Sequence, residues 1–236
     1  MGADAAKTAD FYISSRGAAA ASLVQARLRN IWPAVRGEAV LGVGYAIPYL
    51  LLWRDSAARC IAAIPEQFGP YRWPPAGPNI CCATEQDCLP FPDLTFDRVL
   101  VVHGLETAGN ARRLLRETWR VLKDSGRLLV IAANRNGLWA HSETTPFGQG
   151  QPYSPEQIGA LLEDTFFRVE RRDSALFVPP TGFPPLLKGA LVIERAGRRV
   201  APRFAGVTIT EAVKDAYGVI PLAATARRGL VLSGAS

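Results

Sequence analysis

Hydrophobic and polar positions follow two different periods along the chain. Between residues 17 and 32, Leu23, Val24, Leu28 and Ile31 recur at three- and four-residue spacing and Pro33 closes the run, which predicts an amphipathic helix. Continuously apolar runs at 38–43, 60–64, 79–82, 96–102 and 127–132 predict buried strands. Helical patterns separate some of them, at 48–56, where Pro48 takes a tolerated first-turn position, and at 110–122, with Leu114, Leu115, Trp119 and Leu122 on one face. Lys123-Asp124-Ser125-Gly126 reads as the stop of that second helix. Ser154 as cap, Pro155 at the first position and the acid-amide pair Glu156-Gln157 predict a helix running to about Glu163. Runs at 167–176 and 207–212 read as the last strands, with a helix expected near 185–191.

Apolar strands alternating with helices predict an α/β fold with a parallel sheet covered on both faces. In such sheets ligands bind beyond the carboxyl ends of the strands, at the switch point. Four places therefore matter: after Val43, after Ile64, after Cys82 and after Val102.

Composition changes this picture little. The 236 residues, 48% hydrophobic and 20% charged, suffice for one sizeable core. The longest apolar run, residues 39–53, is broken by Pro48 and is too short to span a bilayer. Asp4, Asp10 and Arg16 interrupt what a secretory leader would keep apolar, so a cytoplasmic protein is expected. The net charge of +6 is uneven: from residue 186 onward eight basic and three acidic side chains give +5. That basic portion reads as a solvated face, because no aromatic stacking pattern accompanies it; neither nucleic acid nor a membrane is expected as a partner. Cys60, Cys81, Cys82 and Cys88 form no C-x-x-C pair and only His103 and His141 accompany them, so no metal site is expected.

Three segments carry more specific information. Glu38-Ala39-Val40-Leu41-Gly42-Val43-Gly44-Tyr45-Ala46-Ile47-Pro48 places a glycine turn between strand and helix, where backbone can approach a ligand. Glu85-Gln86-Asp87-Cys88-Leu89-Pro90-Phe91-Pro92-Asp93 runs into Phe96-Asp97. The third segment runs from Arg116 to Gly126, as Arg116-Glu117-Thr118-Trp119-Arg120-Val121-Leu122-Lys123 and the Gly126 stop. In this order the segments resemble the class I methyltransferases that use S-adenosylmethionine, over roughly residues 36–132. The resemblance implies a Rossmann-like, doubly wound, mostly parallel seven-stranded sheet and S-adenosylmethionine as cofactor. It implies cofactor contacts from Gly42, Gly44, Tyr45 and Ala46 in the glycine turn, Pro65 and Glu66 after the second strand, and Glu85 and Gln86 at the adenine. His103, just past the fourth strand, faces the cofactor sulfur in this reading.

The chain also departs from the family pattern. Aligned on Gly44, the expected acid and later glycines are Gly42, Ala46 and Pro48. The second strand ends Ile64-Pro65 with Glu66 one step late, and only fourteen residues, seven of them Pro or Gly, separate Ile64 from Asn79, too few for the usual crossover helix. A dinucleotide fingerprint is not met, because Ile47 stands where its third glycine should be.

The long polar segment 134–153 follows the fifth strand and so lies on the ligand side. Asn134, Arg135, Trp139 and Tyr153 are its candidate acceptor contacts; the bland alternative is a lid packing Trp139 and Phe147 over the core edge. His103, His141 and Glu143 are candidate general bases for a hydroxyl or carbon acceptor. Two functions fit the sequence: methyl transfer to a small molecule or protein acceptor, and a non-catalytic regulatory or protein-binding subunit on the same fold that has lost the cofactor. The aromatic segment 68–75 supports a homo- or hetero-oligomeric partner in the second case. The chain is expected to be one domain: a helical cap over 1–35, a core over 36–180, and last strands with a basic extension over 181–236.

Overall fold

The computed structural model describes residues 3–66, 72–85, 87–181 and 189–215. Seven strands, β1 (Ala39–Gly44), β2 (Arg59–Pro65), β3 (Cys81–Thr84), β4 (Phe96–Val102), β5 (Leu122–Ala133), β6 (Phe167–Ala175) and β7 (Val207–Lys214), form one sheet in the order β3-β2-β1-β4-β5-β7-β6. The first five pair in parallel, and β7 runs antiparallel between β5 and β6. Side chains of one strand alternate between two cores. Val40, Leu100, Val102, Leu129 and Ile131 pack on one face; Leu41, Val43, Val99, Val101, Leu128 and Val130 pack on the other. Helices α1 (Ala3–Ile13), α2 (Ser15–Ile31) and α3 (Ile47–Leu50) contribute to the first core. Helices α5 (Ala111–Val121) and α6 (Pro155–Glu163) contribute to the second. The short α4 (Gly104–Thr107) leaves β4, and α7 (Ala190–Val200) lies against β6.

The predicted strands at 60–64 and 96–102, the helix at 110–122 and the capping box at Ser154–Gln157 stand where the pattern put them. Four boundaries differ. The third strand starts at Cys81 rather than 79, because the Asn79 carboxamide oxygen accepts from the Trp73 and Cys81 amides and holds a turn there. The helix expected over 48–56 keeps only four residues. Beyond them the amides of Leu52, Trp53 and Ser56 bond three residues back, around a Trp53 indole fixed on the Trp32 carbonyl. Strand β5 begins at Leu122, five residues early, because Leu122 pairs with Phe96 and an irregularity before Arg98 absorbs the extra length. The last helix runs Ala190–Val200 instead of 185–191; residues 182–188 lie outside the described ones. Between β2 and β3 no α-helix occurs among the described residues.

The helical break that creates α1 is local chemistry. Ser14 caps α2 by accepting from the Gly17 amide, and a Cβ on Gly17 would stand 1.9 Å from the Phe11 carbonyl oxygen. That close approach folds α1 back over the carboxyl end of the sheet, where it packs on the Pro146–Gly148 turn.

Candidate active site

The strand order reverses between β1 and β4, and both strands leave the sheet there in unusual backbone. Gly44 has φ 81°, and a Cβ on it would meet the Val102 carbonyl oxygen at 2.2 Å; the next amide, of Tyr45, donates to that oxygen at 2.9 Å. His103 leaves β4 at φ 52°, a left-handed conformation that costs a non-glycine residue about 1–2 kcal/mol. The Thr107 hydroxyl donates to its carbonyl at 2.6 Å and holds it there.

Helix α1 covers this corner with two aromatic rings. The Tyr12 ring stacks on Tyr45, with centroids 5.4 Å apart and planes 17° from parallel. Its hydroxyl stands 2.7 Å from His103 Nε2 and 3.0 Å from the Tyr49 hydroxyl. Phe147 meets the imidazole at 4.8 Å, and Phe11 packs edge-on against Phe147 and Trp139. Burial pushes both phenols upward, so Tyr12 and Tyr49 stay protonated. Burial drives the His103 imidazole down to about 3, so it is neutral and a poor base in this arrangement. Its Nδ1 has no partner among the described residues. The tautomer that leaves no buried N–H unpaired therefore carries the proton on Nε2, which donates to Tyr12, which donates onward to Tyr49.

Beside this corner, along the ends of β2 and β3, lies an open polar cleft of about 700 Å³. Pro65, Glu66, Thr84 and Glu85 line it from the strands, and Thr107, Asn110 and Arg113 from the segment after β4. The buried Thr84 hydroxyl donates to the carbonyls of Glu85 and Cys88 and fixes the turn that presents Glu85. The candidate cofactor contacts thus divide into two groups. Pro65, Glu66 and Glu85 line the open cleft; Gly44, Tyr45, Ala46 and His103 belong to the covered corner; Gln86 lies outside the described residues. Gly42 reaches neither. A Cβ there would stand 2.6 Å from Ala46 Cβ and from Leu50 Cδ1, so α3 occupies the space a carboxylate would need.

The 134–153 segment is built chiefly by its own polar groups. Buried Asn134 donates to the carbonyls of Arg203 and Ala205 and accepts from the Asn136 amide. The Trp139 indole donates to the Val178 carbonyl at 2.7 Å, Arg135 reaches Gln157 at 3.3 Å, and the Tyr153 hydroxyl donates to the Leu105 carbonyl at 3.4 Å. His141 and Glu143 are exposed; Glu143 borders a separate cavity of about 580 Å³ between α1 and this segment, with Asp10, Phe11 and Arg16. None of the six lines the cleft that holds Glu85.

Sequence reasoning missed Tyr12, Phe11 and Glu106. Glu106 is buried: its Oε1 accepts from the Ala133 amide at 2.6 Å, its Oε2 has no partner among the described residues, and burial raises it to about 7. The one available signal was its place three residues after His103, an acid inside an apolar run.

Comparison with known proteins follows this geometry. A family model described as a methyltransferase domain matches residues 54–130. Over 45 residues the chain is 49% identical to the ubiquinone/menaquinone biosynthesis C-methyltransferase UbiE of Pasteurella multocida, which is 19% of this chain and 17% of that protein. The match therefore spans less than a fifth of such a curated relative. In fold, the chain is similar to an S-adenosylmethionine-dependent methyltransferase from Mesorhizobium loti, with TM-score 0.59 and 14% identity over 80% of this chain and 96% of the other. It is also similar to a chain of the Haloferax volcanii complex between the Trm112 methyltransferase activator and a methyltransferase, with TM-score 0.56 and 19% identity over 77% and 84%.

Proposed function

We propose that this chain, which matches a methyltransferase-domain model over residues 54–130 and is similar in fold to S-adenosylmethionine-dependent methyltransferases, binds S-adenosylmethionine and methylates a small molecule or a protein side chain. The observation that carries the proposal is the pair of carboxylates, Glu66 and Glu85, on one polar cleft at the ends of adjacent strands β2 and β3, beside the Gly44 turn. Carboxylates there accept hydrogen bonds from ribose hydroxyls and an adenine amine, each contributing about 1.5–3 kcal/mol. The cleft fits the nucleoside half of the cofactor. The Gly44 corner fits the amino-acid half only when Tyr12 leaves Tyr45 and His103.

The bound cofactor would supply an electrophilic methyl group on a sulfonium. The chain's own contribution is to position and to exclude water: Phe11, Tyr12 and Phe147 make a dry aromatic wall beside the cleft. A neutral His103 leaves proton removal to the acceptor itself or to Glu106, which burial holds near neutrality. The family match over 54–130 includes Glu66 and Glu85 and excludes the 134–153 segment, so it speaks for the cofactor side alone.

The second reading, a subunit without methylation activity, is favoured by one observation, the covered glycine turn with Gly42 in place of the family's acid. Calorimetric titration with S-adenosylmethionine and S-adenosylhomocysteine separates the two. Micromolar binding of either supports the enzyme; no heat up to millimolar ligand, with wild type and with Tyr12→Ala alike, overturns it.

A further inference from the structure

Helix α7 (Ala190–Val200) and the turn Pro202–Phe204 after it present an outward face with a regular composition. Val192, Ala196 and Val200 recur every fourth residue and make an apolar row that continues to Phe204. Arg195 and Arg199 make the neighbouring row; Arg203, beyond the helix end, acts on the Glu156 carboxylate instead. Seven large apolar side chains are more than half exposed among the described residues, and four of them are here: Leu191 at 59%, Val192 at 68%, Val200 at 84% and Phe204 at 62%. The inward face is spoken for. Ala190 and Glu194 are buried, the Glu194 carboxylate accepts from the Leu176 and Phe177 amides, and Gly197 lies on the Phe177 ring.

The single acid of the helix is thus turned inward, and its outward arginines border the apolar row without a carboxylate on the same face. Dipole complementarity at a helix end accounts for Arg198 and Arg199 in the last turn; it does not account for Arg195. Apolar side chains flanked by arginines that extend to a headgroup layer are the composition of a helix lying in a membrane interface. No described helix is long and apolar enough to cross a bilayer, so the face would lie on the surface rather than span it.

We propose that the α7 face, Val192, Val200 and Phe204 with Arg195 and Arg199, docks this protein on an anionic lipid surface. The proposal is independent of methyl transfer. It places the lipid on the far side of α7 from the Leu176–Phe177 segment that the inward face packs on.

The test is co-sedimentation of the full chain with vesicles of phosphatidylcholine alone and of phosphatidylcholine with about 30% phosphatidylserine. Binding to the anionic vesicles, weakened by added salt and weak on phosphatidylcholine alone, is the expected result. Arg195→Ala with Arg199→Ala should lower partitioning about 30-fold, at about fivefold per charge. Val192→Asp with Phe204→Asp should lower it about tenfold or more. Unchanged circular dichroism and melting of each variant show that it is folded, since all four side chains are on the outward face. Absence of vesicle binding overturns the proposal, as does binding that both folded variants retain. A concentration-dependent dimer abolished by Val192→Asp, without vesicle binding, assigns the face to a second copy of the chain and equally overturns it. Retention on nucleic acid unaffected by Phe204→Asp, again without vesicle binding, does the same.

Discussion

The two sides of the cleft are built from opposite materials. Along β2 and β3 the edge is polar and open, with Glu66 and Glu85 on about 700 Å³ of space. Along β1 and β4 it is aromatic and closed, with Tyr12, Tyr45, His103 and Phe147 in mutual contact. The difference follows from connectivity. The Ser14–Gly17 break folds α1 back onto the β1–β4 side. In the proposed reading, one half of the cofactor site is preformed while the other must be uncovered. Affinity then falls in proportion to the fraction of molecules in which it is uncovered.

The covered side depends on a backbone that only glycine tolerates. Gly44→Ala combines left-handed strain with a Cβ at 2.2 Å from Val102 oxygen and should cost about 2–4 kcal/mol, read as a lowered Tm. On the open side, Glu85→Ala should weaken S-adenosylhomocysteine and adenosine alike by about one to two decades in calorimetry, since both present the same nucleoside. An equal loss for both ligands assigns Glu85 to the nucleoside; loss for one alone contradicts it. Tyr12→Phe keeps the stacked ring and strips its hydroxyl from His103 and Tyr49. It should lower stability by about 1–2 kcal/mol in denaturant titration.

The pH dependence of that closed corner is set by two opposed titrations. His103 titrates near 3 in the fold and near 6.5 unfolded, so the unfolded chain binds the extra proton between these values and stability falls as pH drops from 6.5 to 3. Glu106 titrates near 7 in the fold and near 4.5 unfolded, so its contribution is complete below 4.5 and is lost as pH rises to 7. The two slopes oppose each other between 4.5 and 6.5, where Tm should stay level with respect to this pair. Glu106→Gln should remove the decline towards 7 and leave the acid limb, as melts across this range would show.

What the chain revealed in advance was local. Continuous apolar runs and the Ser154–Gln157 capping box depend on neighbours in sequence, and they fell into place. The position of β3 depended on the Asn79 side chain choosing a turn, which periodicity does not register. Glu85 could be named in advance because a motif fixes its distance from the following strand, and it lines the cleft. Tyr12 was not, because only the tertiary fold-back of α1 brings it across 91 residues of sequence to His103. The 134–153 segment taught the converse. Its polar side chains looked free for a ligand, yet Asn134 and Trp139 are committed to backbone carbonyls of the 203–205 and 178 positions. The α7 face was not legible because span length and net charge do not register apolar and basic rows that share one helix face.

The most direct measurement is a paired calorimetric titration of wild type and Tyr12→Ala with adenosine and with S-adenosylhomocysteine. If Tyr12 covers the amino-acid half of the site, the variant should bind S-adenosylhomocysteine about tenfold more tightly, the equivalent of about 1.4 kcal/mol, with adenosine unchanged. Equal or weaker binding of S-adenosylhomocysteine by Tyr12→Ala, with adenosine again unchanged, would contradict the division of the cleft into an open and a covered half.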